Sequence, residues 1–274
     1  MQSSFWKGHE MHQRMIVAVS AIVLGVATTV ALTFAATTQQ RDQRGQALQV
    51  AAAADLRLAL TDVARLYKDQ TGHEATLIFG STGQLTQQIE QGAPFDLFLA
   101  ANESFIERLK TGGLTVPGTE TRYARGRLAL ANSPNLDPPV TSLDQLTADS
   151  IRYIAIANPE HAPYGTAAQD ALEALQLWGV LRPRLVYGEN IQQAMQYVQT
   201  GQADVGIVAV SLALPSTLRW TIVPQDLHRP LDQALAILKR TRKEEEARAF
   251  VRLLLGAEGR AILEKYGFEP PATR

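Results

Sequence analysis

From Leu48 onward, short and wholly apolar runs alternate with longer segments in which apolar residues recur every three or four positions. LQVAAA (48–53) and ATLIFG (75–80) have the length and content of buried strands. Between them, LRLALTDVARLYKDQ (56–70) places Leu56, Leu60, Val63, Ala64 and Tyr67 on one face of a helix, with Gly72 as its C-cap. The alternation continues with QLTQQIEQG as a short helix, DLFLA as a strand, and NESFIERLKTGG as a helix stopped by two glycines. RLALA (127–131) and RYIAIA (152–157) read as strands, with a single helical turn at SLDQL between them. A long helix is predicted from about Thr166 to Trp178, followed by RLVYG, the helix IQQAMQYVQTG, DVGIVAV, WTIVP and the strand ALAILK. The last helix begins near Lys243, where Glu244, Glu245 and Glu246 suit the positive end of its dipole.

Strands alternating with helices of this length predict an α/β protein whose mostly parallel sheets are flanked by helices. Two lobes are expected rather than one. The segments 122–131 and 224–237 are candidate crossings, giving a first lobe of 46–128 plus 227–274 and a second of 129–226.

The first 36 residues follow another pattern. Lys7 and Arg14 precede an apolar run from Met15 to about Ala36, which ends in small residues and passes into TTQQRDQRGQ. This reads as an export signal over 1–36 with a linker at 37–45, and it places the remainder outside the cytoplasmic membrane. The alternative is a retained anchor, since about 20 apolar residues span a bilayer.

Composition narrows the function. The 26 Lys and Arg against 27 Asp and Glu leave a net charge of −1, which does not suit a dedicated nucleic-acid binder. Cysteine is absent, which excludes disulfides, cysteine-ligated metals and thiol catalysis. No G-x-G-x-x-G, P-loop, H-E-x-x-H or G-x-S-x-G motif occurs. His73, His161 and His228 are scattered, and Asp55, Asp62 and Asp96 show no acid/base spacing, so no catalytic residue, metal ligand or cofactor is assigned. The enzyme alternative is an extracytoplasmic hydrolase, which would need Ser81, His161 and an acid to converge.

The remaining signal lies in four polar turns placed after strands and before helices. They are Ala54-Asp55, Gly80-Ser81-Thr82-Gly83, Pro163-Tyr164-Gly165-Thr166 and Glu189-Asn190-Ile191. Taken singly, each reads as ordinary helix capping. Aimed together at the carboxyl ends of strands, their free N–H groups would hold an oxyanion without lysine or arginine.

These turns carry a resemblance. VAAAADLRLAL (50–60), FGSTGQLTQQIEQGAPFDLFLAANESFIERL (79–109), YARGRLAL (123–130), ANPEHAPYGTAAQDAL (157–172), GENIQQAMQYVQTGQADVGIV (188–208) and EKYGF (264–268) occur in family order. The chain thus resembles the periplasmic molybdate-binding proteins of ABC transporters, type II periplasmic binding proteins. The resemblance implies a monomeric two-lobed receptor that closes on molybdate or tungstate and delivers it to a membrane permease. It places the anion contacts at Asp55, Ser81, Thr82, Tyr164 and Ile191, the last two through backbone N–H groups. Two positions depart from the family: Asp55 stands where Ser or Asn is usual, and Ala209 where a tyrosine supplies a hydroxyl. Asp55 is expected to cap the helix at Leu56 and show the ligand only its N–H, and the Tyr164 hydroxyl to replace the one lost at Ala209. A receptor for another oxyanion or a small organic anion is the alternative within this class.

Overall fold

The structure is a computed structural model and describes residues 47–271. The expected export signal and linker lie outside the described residues. Among the described residues no helix is long and apolar enough to cross a membrane.

In chain order, β1 (Leu48–Ala53) passes through a 3-10 turn at Ala54–Leu56 into α1 (Arg57–Thr71). Then come β2 (Ala75–Gly80), α2 (Thr82–Glu90), β3 (Leu97–Ala100), α3 (Glu103–Thr111) and β4 (Thr121–Gly126). After Arg127 the chain continues as β5 (Leu128–Asn132), β6 (Ile154–Ala157), α4 (Pro163–Ala174), α5 (Trp178–Leu181) and β7 (Leu185–Gly188). Next are α6 (Ile191–Gln199), β8 (Val205–Ala209), α7 (Val210–Ala213) and β9 (Trp220–Ile222). β10 (Leu231–Ile237), α8 (Glu244–Leu255) and α9 (Ala257–Lys265) complete the described elements.

The strands form two five-stranded sheets, in orders β2-β1-β3-β10-β4 and β7-β6-β8-β5-β9. Each is the floor of one α/β lobe. The chain changes sheet between Gly126 and Leu128 and again between Ile222 and Leu231. The sheets are mixed rather than mostly parallel: β1 pairs in parallel with β2 and β3, but β10 runs antiparallel to β3 and β4. The second sheet repeats this, with β6 parallel to β7 and β8, and β5 antiparallel to β8 and β9. The antiparallel pairs arise at the crossings, because a strand arriving from the other lobe enters its new sheet from the opposite end.

Alternate residues of the first sheet serve two cores, which is why its strands read as continuous apolar runs. Leu48, Val50, Ala52, Leu97 and Leu99 pack with Leu60, Val63 and Tyr67 of α1 and Phe250 of α8. On the other face Ala51, Phe98 and Ala100 meet Leu85 and Ile89 of α2 and Ile106 and Leu109 of α3. Gly72 closes α1 in the left-handed conformation, φ 72°, as expected of a glycine cap.

Several helices differ from the pattern reading: α5 and α7 have no expected counterpart, and α4 stops at Ala174 rather than near Trp178. α4 starts at Pro163, three residues earlier than expected, because proline at the first helical position has no N–H to lose and its φ is already helical. The predicted final helix is two helices, α8 and α9, separated by Gly256 with extended backbone at ψ 176°.

Candidate functional site

The registers of the parallel strands assemble the site. Ala53 at the end of β1 is level with Gly80 at the end of β2, so the Ala54–Leu56 turn and the start of α2 lie side by side. In the other lobe Ala157 is level with Gly188, which sets the starts of α4 and α6 together. The two pairs face each other. Asp55, Ser81, Thr82, Tyr164 and Ile191 all line one small cavity there, of about 10 Å³, with no lysine or arginine among the described residues of its wall. All five residues are buried.

The donors are of two kinds. The Thr82 hydroxyl accepts the Ala101 N–H at 3.1 Å, which leaves its own proton free. Asn190 Oδ1 caps α6 by accepting from the N–H groups of Gln192 and Gln193 at 3.0 and 3.1 Å, so the Ile191 N–H is the remaining first-turn donor. In α4 the first position is Pro163, which makes the Tyr164 N–H the first donor of that helix.

Ser81 occupies the N-cap position of α2 without capping it through its side chain. Its Oγ lies 2.7 Å from the carbonyl oxygen of His161 and 2.7 Å from His161 Nδ1. The Gly83 N–H donates to the same carbonyl at 2.8 Å, and Gln84 Nε2 donates to Glu189 Oε2 at 2.7 Å. These bonds join the two lobes. A Cβ at Gly83 would stand 2.7 Å from the His161 oxygen, so this approach needs glycine.

Asp55 does not cap α1. The helical turn opens at Ala54, so Asp55 lies inside it rather than before it, and the turn has no side-chain cap. Its carboxylate points instead to β10, where Oδ2 accepts from Gln233 Nε2 at 2.5 Å. The Tyr123 hydroxyl donates to Gln233 Oε1 at 2.6 Å, and Gln233 Nε2 also reaches the Tyr164 hydroxyl at 3.2 Å. Asp55 Oδ1 is buried with no hydrogen-bond partner. Burial pushes the Asp55 carboxyl from its ordinary 3.8 up to about 6, against smaller opposing effects of Gln233, Tyr164 and the nearby N–H groups. Neither Gln233 nor Tyr123 stands out in the sequence: Gln233 is one polar group in LDQALAI, and Tyr123 lies in TRYARG, which has no apolar run.

Ala209 ends β8, opposite Leu128, and does not line the cavity. The Tyr164 hydroxyl sits against Gly126, where any Cβ would overlap it, and faces Asp55 and Gln233. Asp62 and Asp96 lie elsewhere: Asp62 binds Lys265 and Tyr266, and Asp96 accepts from the Gln49 N–H and the Thr241 hydroxyl. His161 Nε2 is 3.9 Å from Glu189 Oε2, so Ser81, His161 and an acid do converge. Among the described residues no group of three His, Asp or Glu side chains is placed to hold a metal ion.

Two α/β lobes with a small cavity between helix N-termini, free of lysine among the described residues, have the architecture of a solute receptor. The sequence profile of bacterial extracellular solute-binding proteins matches residues 48–269, and the chain belongs to that family. Within it, the molybdate-binding protein ModA of Azotobacter vinelandii is 37% identical over 229 residues, 81% of this chain and 89% of that protein. ModA of Rhodobacter capsulatus is 36% identical over 221 residues, 80% and 86% of the two chains. The solved periplasmic molybdate-binding protein of A. vinelandii superposes with a TM-score of 0.77 at 31% identity, covering 82% of this chain and all of that one.

Proposed function

We propose that the protein is an extracytoplasmic receptor that captures molybdate or tungstate between its lobes and presents the closed form to the permease of an ABC importer. The observation that carries this reading is the convergence of Asp55, Ser81, Thr82, Tyr164 and Ile191 on one cavity without a basic side chain. Hydroxyl protons and helix-terminal N–H groups there offer dipoles to a tetrahedral dianion without a full counter-charge, which permits release. The cavity admits about one water-sized sphere, so the anion enters with the lobes apart. The Ser81 hydroxyl then turns from His161 to the ligand, and contacts from both lobes favour closure. Cavity size selects against the smaller sulfate. The receptor works as a monomer, and nucleic acid has no part in it.

Calorimetric titration with molybdate, tungstate and sulfate in parallel tests this. One-to-one binding of the first two and none of sulfate is expected; no heat and no thermal shift with the first two would overturn the reading.

A second reading rests on the Ser81–His161–Glu189 convergence, which has the composition of a hydrolytic triad. The geometry argues against it. The Ser81 hydroxyl is shared with the His161 carbonyl, and Glu189 stands beyond hydrogen-bond range of the imidazole. Labelling of Ser81 by a fluorophosphonate would favour the hydrolase, and an unlabelled protein that binds molybdate is expected.

A further inference from the structure

Among the described residues Asp55 is the only ionisable carboxyl in the wall of the cavity, and it departs from the hydroxyl or amide that the resemblance leads one to expect. Its two oxygens are treated differently. The Tyr123 hydroxyl fixes the Gln233 amide from behind, so Nε2 is presented to Oδ2, while Oδ1 is left buried and unpartnered. A buried polar atom without a partner marks either a cost to the fold or a place where a ligand completes the set.

We propose that Asp55 captures the anion as a neutral carboxylic acid. The proton sits on Oδ1 and is donated as a hydrogen bond to an oxygen of the oxyanion, while Oδ2 continues to accept from Gln233. Each dianion that binds at neutral or higher pH therefore brings one proton from solvent into the site, and each release returns it. The inference rests on the oxyanion reading above and adds to it a proton-coupled, specificity-determining residue.

From β4 Asp55 is approached by Tyr123, from α4 by Tyr164, from β10 by Gln233, and from α7 by Ser211, whose hydroxyl donates to the Asp55 carbonyl at 2.8 Å. Ser81 and Thr82 of α2 and Ile191 of α6 share the cavity wall. Only the two tyrosines among these titrate, and burial together with the Asp55 charge raises both well above their ordinary range, so they remain neutral hydroxyls. Among the described residues no Lys, Arg or His lines the cavity beside the carboxylate. Burial raises the carboxyl toward its protonated form, to about 6, and an adjacent dianion pushes it further in the same direction. An anion oxygen opposite Asp55 must then be an acceptor. Were Asp55 ionised in the complex, the site would instead demand an oxyanion that carries its own proton.

The test is titration of the protein with molybdate from pH 5.5 to 8.5, in buffers of different ionisation heat so that protons are counted. Uptake of close to one proton per molybdate at pH 8 is expected, with affinity falling about tenfold per pH unit above pH 7. Asp55→Asn, whose amide donates at every pH, should bind with little pH dependence and overtake the unsubstituted protein at pH 8.5. A flat profile without proton uptake overturns the proposal. So does an Asp55→Asn variant that keeps the full slope, or a preference for hydrogen phosphate over molybdate at pH 8. Absence of molybdate and tungstate binding at every pH overturns the oxyanion reading itself, and this inference with it.

Discussion

Ionising Asp55 costs the fold stability, and the sign of the effect follows from its surroundings. With the carboxyl at about 6 in the folded protein against an ordinary 3.8, the folded state binds the proton more tightly than the unfolded chain. Below pH 3.8 both states are protonated and nothing is lost. As the pH rises from 3.8 to about 6 the folded protein loses stability, and above about 6 the loss is complete at about 3 kcal/mol. Asp55→Asn removes the titration. In urea unfolding without ligand, its stability relative to the unsubstituted protein should rise by about 3 kcal/mol between pH 3.5 and pH 8. A difference that does not change with pH would mean that the carboxyl is not desolvated. The position of Asp55 after an apolar strand was legible in the sequence, but its partners were not. Gln233 lies 178 residues away, and no local pattern connects the two.

At the scale of elements, local chemistry is legible where it concerns neighbours within one turn. The ranges 48–53 and 75–80 read from the apolar runs are those of β1 and β2. Asn190 was legible as a cap, and it does cap α6. Replacing it with alanine should destabilise the protein by about 1 kcal/mol, visible as a lowered midpoint in thermal unfolding; an unchanged midpoint would mean that its two accepted bonds contribute nothing net. Ser81 and Asp55 were equally plausible caps by residue type, and neither caps through its side chain. Each had a stronger partner from a distant segment: His161 for Ser81 and Gln233 for Asp55. β4 was read only as part of a lobe crossing, because TRYARG carries no apolar run. It forms through pairing with β10.

At the scale of the whole molecule, the proposed function depends on how closely the lobes meet. Gly83 donates to the His161 carbonyl, and a methyl group there would meet the His161 oxygen at 2.7 Å and its Cα and Cβ at 3.0 Å. These are mostly backbone atoms with little freedom to give way. Gly83→Ala should therefore hold the lobes apart without harming either fold, since alanine also favours the helix. Molybdate affinity is expected to fall tenfold or more while circular dichroism and the thermal midpoint without ligand stay nearly unchanged. Calorimetry beside those measurements checks this, and undiminished affinity would mean that the bound form does not use the Gly83–His161 contact.

The sequence alone determined the α/β alternation, the faces of the helices and the four turns on which the site is built. Apolar periodicity, glycine stops and cap residues act over a few neighbouring positions, so they can be read along the chain. The tertiary structure alone decided that the sheets are mixed, that Ser81 is turned to His161, and that Asp55 is buried against Gln233 with one oxygen unpartnered. Strand direction, hydrogen-bond partner and desolvation depend on which distant segments the fold brings together. The same aspartate in the same turn would lack its Gln233 partner if β10 did not pass beside it.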